Sequence, residues 1–526
     1  MVLVGTIRMI NELWGGGKRL NSFNVSGRLV SRRRSLIGKL ALSLLPFLLA
    51  LGYLTGWFVP FVSAALLSAK AAPGLWALLA ALAFPLAFYL ARGVRAGNEV
   101  KLSYLIAYLV VVIGPLAWLV NVTAISQVGN SLKVVELKEL PNLVGVYRLI
   151  PLPTAYKYAI DRIQLPTHTI YYQETYVYYN GTRPIYNWLI EPEGVLNSLF
   201  RDPRGAVFVY ADAYPPEVKI VRQDLTWGLH NYKLTPLFLD SLALESLFSG
   251  AFGKEVVWED VADVYLNGQV VQLLPVVDYK PVFPGSLPYI DSYLVVYPNG
   301  TILKVRPEEA VRYGVPALPE RVARRWVDAL RVKDWVQAVF FHNTFTIRDV
   351  GDNPQPYLLL DEEGRPWWVF VAEPPGNTYS AYMILLVNAS STEPTIYVYK
   401  FDKPKIGVSK AYSYVMKAHP NWAWDSLKVQ EPLPTTINST FYWKLSVTTS
   451  DSRGLVSVEF VDADSGNAVS VSVKGKLNAE EVLASLLKGR VSKKEEPNLN
   501  ELLRKIEQIK AELNELEEMV KEIASK

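Results

Sequence analysis

RPIYNWLIEPEG at 183–194 and RPWWVFVAEPPG at 365–376 are the stretches whose reading decides the fold. Arg183-Pro184, Glu191-Pro192 and Gly194 recur at a constant offset as Arg365-Pro366, Glu373-Pro374 and Gly376. Each stretch follows a turn, Asn180-Gly181 or Asp361–Gly364, and contains tryptophan (Trp188; Trp367 and Trp368). Each also leads into an apolar strand, AVFVYADA (206–213) or MILLVNAS (383–390). A helix-like stretch precedes each, Thr154–Ile163 or Glu320–Leu330. Asn180-Gly181, Asn267-Gly268 and Asn299-Gly300 lie between β-prone flanks, and Asn-Gly supplies the positive φ angles of a tight hairpin. The expected unit is therefore a helix followed by a curled antiparallel sheet. One copy is expected at 151–317 and a second at 318–490. A third partial copy runs from Lys410–Ala418 through Phe441–Val447 to VSVEFVDADSGNAVSV (456–471).

The repeated residues have two readings. In the architectural one, Arg-Pro ends a turn and opens an edge strand, Glu-Pro closes that strand, and the glycine permits the next bend. In the other, Arg183, Glu191, Arg365 and Glu373 are the polar contacts of a paired ligand-binding edge. The strand–turn–strand VEFVDADSGNAVSV (458–471) resembles the closing hairpin of PepSY-type extracytoplasmic modules, with weaker echoes at 206–220 and 383–400. That resemblance implies an α+β architecture and nothing about activity.

Ahead of the repeats, Leu40–Ala69, Gly74–Ala91 and Ser103–Val120 contain no charged residue. Apolar runs of about 18 residues read as membrane-spanning helices. Arg28, Arg32, Arg33, Arg34 and Lys39 precede the first run, and Arg92, Arg95 and Lys101 separate the second from the third. By the positive-inside rule, 1–34 is a cytoplasmic basic tail and 35–122 a membrane domain of about three transmembrane helices. The region beyond a linker at 123–150 is then extracytoplasmic. The expected class is a multi-pass cell-membrane protein in contact with the lipid bilayer, with a large β-rich α+β region outside. Leu40–Ala69 reads as one span plus an interfacial piece, or as a two-span hairpin.

Beyond Pro497 the a/d seam Leu499, Leu502, Ile506, Ile509, Leu513, Leu516, Val520 and Ile523 predicts a coiled-coil helix over 495–526. In a parallel in-register dimer Lys505 faces Lys510 and Glu512 faces Glu517, so an antiparallel pair or a helix of another protein fits better. Self-association or a helical partner through 499–523 is expected, with docking on the chain's own domain as the alternative.

Catalytic signatures do not emerge. The chain has no cysteine, which excludes disulfides and thiolate chemistry. His168, His230, His342 and His419 share no metal-ligand spacing, and Gly15-Gly16-Gly17-Lys18 lacks the phosphate-loop pattern. Asp462-x-Asp464 before Gly466 reads as a turn rather than a calcium loop, because the later Glu is absent. Glu373 and Asp361–Glu363 near Trp367 and Trp368 have a sugar-site composition, which a half-buried sheet also explains. Asn180, Asn299, Asn388 and Asn438 are candidate glycan acceptors. A net charge of +4, with its surplus in the basic tail, gives no nucleic-acid footprint. No catalytic, cofactor or metal residue is assigned. The expected function is a membrane-anchored scaffold or assembly protein acting through its C-terminal helix. The alternative is a ligand-binding sensor or accessory subunit of a membrane transport complex, with a site between the repeats.

Overall fold

The meander of the repeat appears three times, each time after a helix. The computed structural model describes residues 58–83, 113–194, 197, 201–225, 246–341, 344–351, 354–376 and 378–491. Helices are numbered in chain order: α1 (Phe58–Ala71), α2 (Pro73–Ala83), α3 (Gly114–Ser131), α4 (Leu152–Arg162), α5 (Glu320–Arg331), α6 (Trp335–Phe340), α7 (Val408–Ala418) and α8 (Ala479–Val491). In the first module α4 precedes strands Tyr176–Asn180, Arg183–Leu189, Gly205–Tyr210 and Glu217–Arg222, paired antiparallel in that order. In the second, α5 precedes Tyr357–Leu360, Pro366–Glu373, Ser380–Asn388 and Thr395–Ile406. In the third, α7 precedes Leu427–Ile437, Thr440–Thr449, Leu455–Asp462 and Ala468–Ser472.

Two features lie outside that plan. A five-stranded sheet built on the long hairpin Gln269–Val282 and Gly285–Val296 occupies the later part of the stretch read as the first copy. Lys133–Glu136, in the stretch read as a linker, is a strand paired parallel with Thr395–Ile406.

The inner meander strands Arg183–Leu189 and Pro366–Glu373 are buried at nearly every position because both faces are covered. In Pro366–Glu373, Trp368, Phe370 and Ala372 enter a core shared with the five-stranded sheet and α5. Trp367, Val369 and Val371 enter another, shared with α7 and the third module. In the first module Tyr186, Trp188, Val207 and Val209 share a third core with α4, α8 and the third module, while Ile185 and Phe208 face the other way.

The reading of the N-terminal region as transmembrane helices is corrected here. Among the described residues no single helix is long and apolar enough to cross a membrane, so the membrane and transmembrane assignments fall. A bent pair, Phe61–Ala71 with Pro73–Ala83, passes on length and composition alone, but turns by 101° at its break. Pro73 starts the second helix there, since a proline lacks the N–H that would continue the first. Its neighbours hold the corner against protein: Gly74 N–H donates to Pro284 O (2.9 Å), Ser286 Oγ to Lys70 O (2.5 Å), and Lys70 Nζ to Asp278 Oδ1 (2.9 Å). The end of the third run, up to Val120, belongs to α3, which continues through polar Thr123, Ser126, Gln127 and Asn130. That helix buries Ser126, Val128 and Gly129, and Ser126 Oγ donates to Lys333 O (2.7 Å) just beyond α5. The remaining parts of the three runs, the tail 1–34 and the seam Leu499–Ile523 lie outside the described residues.

Candidate functional site

The sequence of α5, ERVARRWVDALR, splits into two stripes. Val322, Ala323, Trp326 and Val327 are buried, and Trp326 Nε1 donates to Pro288 O (2.9 Å), fixing the helix on the five-stranded sheet. Arg321, Arg324, Arg325 and Asp328, at helical spacing on the opposite side, line a cavity of about 720 Å³. Tyr172, Gln173, Thr175, Tyr176 and Val177 of the first module, Leu358 and Trp368 of the second, and Glu259 and Asp260 in the turn before the five-stranded sheet also line it. The cleft thus lies between the first and second modules.

Each of its arginines pairs with an acid. Arg325 grips Glu255 with both terminal nitrogens (2.6 and 2.7 Å) and also donates to Tyr279 Oη (2.8 Å). Arg321 pairs with Glu259 (2.5 Å) and Arg324 with Asp349 (2.8 Å). Arg148, deeper in, pairs with buried Glu431 (3.0 Å).

The acids facing the cavity are in a different condition. Asp260 is buried and accepts from Arg321 N–H (2.9 Å), but has no cationic side chain bonded to it. Among the described residues Glu320 and Asp328, both half-buried, make no ion pair or hydrogen bond. Burial pushes the Asp260 carboxyl up to about 7 and that of Glu320 up to about 8, and it raises Asp328 as well. Beside them the Tyr176 side chain is buried, lines the cavity, and its hydroxyl has no hydrogen-bond partner. Burial raises that phenol well above its ordinary value, with the Asp260 and Glu320 charges adding to the effect.

The repeat residues are elsewhere, and none of them lines this cavity. Arg183 pairs with Asp212 (2.8 Å) and Glu217 (3.1 Å) and lies over the Tyr210 ring; Arg365 pairs with Asp361 (2.7 Å) and Glu363 (2.7 Å). Pro184 O accepts from Ala211 N–H (2.9 Å) and Pro366 O from Ala389 N–H (3.0 Å), an equivalent bond in the two copies. Glu191 and Glu373 are both buried, and Glu373 pairs with Arg348 (2.9 Å). Pro192 pairs with His168 in a short bridge, and Pro374 O accepts from Thr346 Oγ1 (3.4 Å). Gly194 and Gly376 both take positive φ, +79° and +95°.

Of the histidines, His168 contacts Thr167 Oγ1 (3.0 Å) and Asp202 O (3.1 Å). His419 stacks on Trp422 with centroids 3.8 Å apart and meets Glu459 (3.2 Å). His230 and His342 lie outside the described residues. No three metal-ligating side chains converge among the described residues. Asp462 Oδ1 accepts from Asp464 N–H (2.8 Å) and Ser465 N–H (3.1 Å), as a turn requires. Asn180, Asn299 and Asn438 are exposed at hairpin turns, and Asn388 is half-buried.

Sequence reasoning missed the cleft residues. The spacing of Arg321, Arg324, Arg325 and Asp328 was the available signal, since it marks a charged stripe opposite an apolar one on a short helix.

No family model matches this chain, and no curated protein matches it. A solved structure titled "Structure of RS223-Beta-xylosidase" aligns with 57% of this chain and 91% of that chain, at 10% identity and a TM-score of 0.15. That score is too low for a shared fold, and neither fold nor activity is carried across.

Proposed function

We propose that this protein is a ligand-binding protein whose site is the cleft between its first and second helix-and-sheet modules. One observation carries the reading: carboxyl groups and a buried hydroxyl, without partners of their own, converge on one cavity. A buried polar group left unpaired costs about 1–3 kcal/mol, so a cluster of them is a standing cost that a ligand removes. The volume of about 720 Å³ falls within the roughly 300–1,000 Å³ of small-molecule sites. The aromatic rings of Tyr172, Tyr176 and Trp368 supply apolar contact beside the polar groups, the usual composition of such a site. The assembly reading rests on Leu499–Ile523, outside the described residues.

The test is a screen of chemically diverse small molecules against the full chain by thermal shift and calorimetry, repeated on Asp328→Trp, which blocks the cleft from its wall. At least one compound is expected to bind with one-to-one stoichiometry and to lose binding in the blocked variant. Binding that survives the block, or a screen without any binder, overturns the proposal.

A further inference from the structure

We infer that the cleft takes a small organic cation, an ammonium or guanidinium group seated among Asp260, Glu320 and Asp328 against the Tyr176 hydroxyl. The inference rests on the cleft being a ligand site and adds the chemical class.

The charge distribution within the cavity points that way. Arg148, Arg321, Arg324 and Arg325 are each neutralised by a dedicated acid, Glu431, Glu259, Asp349 and Glu255. Arg148 Nη2 keeps an unpaired N–H, but an anion reaching it would meet the carboxyl groups of Asp260, Glu320 and Asp328 that line the same cavity. Three of the acids lining the cavity, Asp260, Glu320 and Asp328, lack such a cationic partner.

Tyr176 is the second, independent observation. It is 5% exposed and its oxygen has no partner. A phenol oxygen accepts from an N–H, and its own proton is then free for a neighbouring carboxylate. The rings of Tyr172, Tyr176 and Trp368 add faces on which a cation is stabilised. A metal ion fits less well, because no three ligating side chains come close enough to hold one among the described residues. A cation with several N–H groups reaches carboxyls that a single ion cannot bridge.

Proton release follows from the same groups. Burial holds Asp260 at about 7 and Glu320 at about 8, so near neutral pH Glu320 is largely protonated and Asp260 about half protonated when the cleft is empty. Asp260 also feels Glu259, Arg321, Arg325 and the Tyr176 and Tyr293 phenols; Glu320 feels Asp260 most, then Arg324, Arg148 and Asp349, and also Tyr176. Asp328 feels Arg331, Arg324 and Asp349. A bound cation favours the ionised carboxyls, so binding expels protons and tightens as pH rises. A guanidinium probe stays charged across that range.

The experiment is calorimetry of the full chain with agmatine, glutarate and glucose, in two buffers of different ionisation enthalpy, at pH 6 and pH 8.5. Agmatine is expected to bind, to release protons, and to bind about tenfold more tightly at the higher pH. Glu320→Gln and Asp328→Asn, each checked for an unchanged melting profile, are each expected to weaken it about tenfold or more. Asp328→Asn, on a half-exposed wall, keeps the test open if Glu320→Gln fails to fold. Agmatine binding that ignores both substitutions overturns the inference. Glutarate or glucose binding without agmatine, abolished by Asp328→Trp, overturns the cation assignment and leaves the ligand-site reading standing. No binding of these probes, together with an empty screen, removes both.

Discussion

Arg148 and Glu431 form an ion pair 3.0 Å long with both side chains buried, 3% and 1% exposed. It joins the segment ahead of α4 to the opening strand of the third module, and Arg148 also lines the cleft. Tyr186 Oη donates to Glu431 Oε1 (2.9 Å), so a first-module strand is tied to the same carboxylate. Glu431 itself has φ of +48° where the strand register slips between Gln430 and Leu433. The strained backbone and the buried charge sit on one residue.

Breaking that pair from one side leaves a charge in the interior. Arg148→Met is expected to destabilise the protein by about 3–5 kcal/mol. Adding Glu431→Gln is expected to recover most of the loss, because the remaining group is neutral and still accepts from Tyr186. Chemical denaturation of the single and double variants checks this; equal stability of the two would show that Glu431 is not left charged.

The buried acids make stability fall with pH. Burial raises Asp260 and Asp263 to about 7 and Glu320 to about 8, from ordinary values of 3.8 and 4.5. Between those limits the folded chain holds protons that the unfolded chain has released. Their contribution is therefore complete below about pH 4 and lost as pH rises through 7 to 8. Lys444, lowered by burial to about 8 from 10.5, acts oppositely and restores some stability above pH 8. The net fall from pH 5 to pH 8 is expected to be on the order of a few kcal/mol. Asp263→Asn, away from the cleft, is expected to flatten it. A melting temperature independent of pH over that interval would contradict the burial of these groups.

Tyr176→Phe separates stability from binding. It removes a buried oxygen that has no partner, so the folded protein is expected to keep its stability or gain up to about 1 kcal/mol. Agmatine affinity is expected to fall in the same variant. A clear loss of stability would mean that the hydroxyl is already bonded.

Glycines with the same φ sign differ in what surrounds them. A Cβ on Gly314 (φ +81°) would run into the carbonyl oxygen of Tyr179, whereas one on Gly364 (φ +77°) would meet open space. Gly364→Ala is expected to cost about 1 kcal/mol from backbone strain alone. Gly314→Ala is expected to cost about 3 kcal/mol or more, since a backbone atom must move. Melting temperatures of the two variants give the comparison.

For the C-terminal seam the expectation concerns mass. Removing 495–526 is expected to lower the solution mass of an oligomeric chain to that of a monomer, measured by light scattering. An unchanged mass assigns the helix to the chain's own domain or to another protein.

The hairpin turns were legible because turn chemistry is local: Asn267-Gly268 has φ of +49° and +87° whatever lies beyond its strands. The helix-like stretch Glu320–Leu330 was legible for a similar reason, since helical spacing is a property of one segment, whereas its charged stripe went unassigned. The site was not. It depends on Arg325 finding Glu255 and Arg148 finding Glu431, which leaves Asp260, Glu320 and Asp328 as the exceptions, and no spacing encodes that remainder. The apolar runs misled because composition does not fix where a helix breaks, and among the described residues the apolar stretch turns by 101° between Ala71 and Pro73. At the Ala71–Pro73 corner the protein supplies the partners, through Pro284 and Ser286.

By itself the sequence determined the turns and the segments that form strands, since backbone dihedrals and side-chain periodicity are governed by near neighbours. Only the tertiary structure decided which faces met, which charges were neutralised and where a cavity remained, because desolvation and pairing depend on groups distant along the chain. Tyr176 shows the difference: its place in a strand follows from its neighbours, while its unpartnered hydroxyl follows from what packs around it.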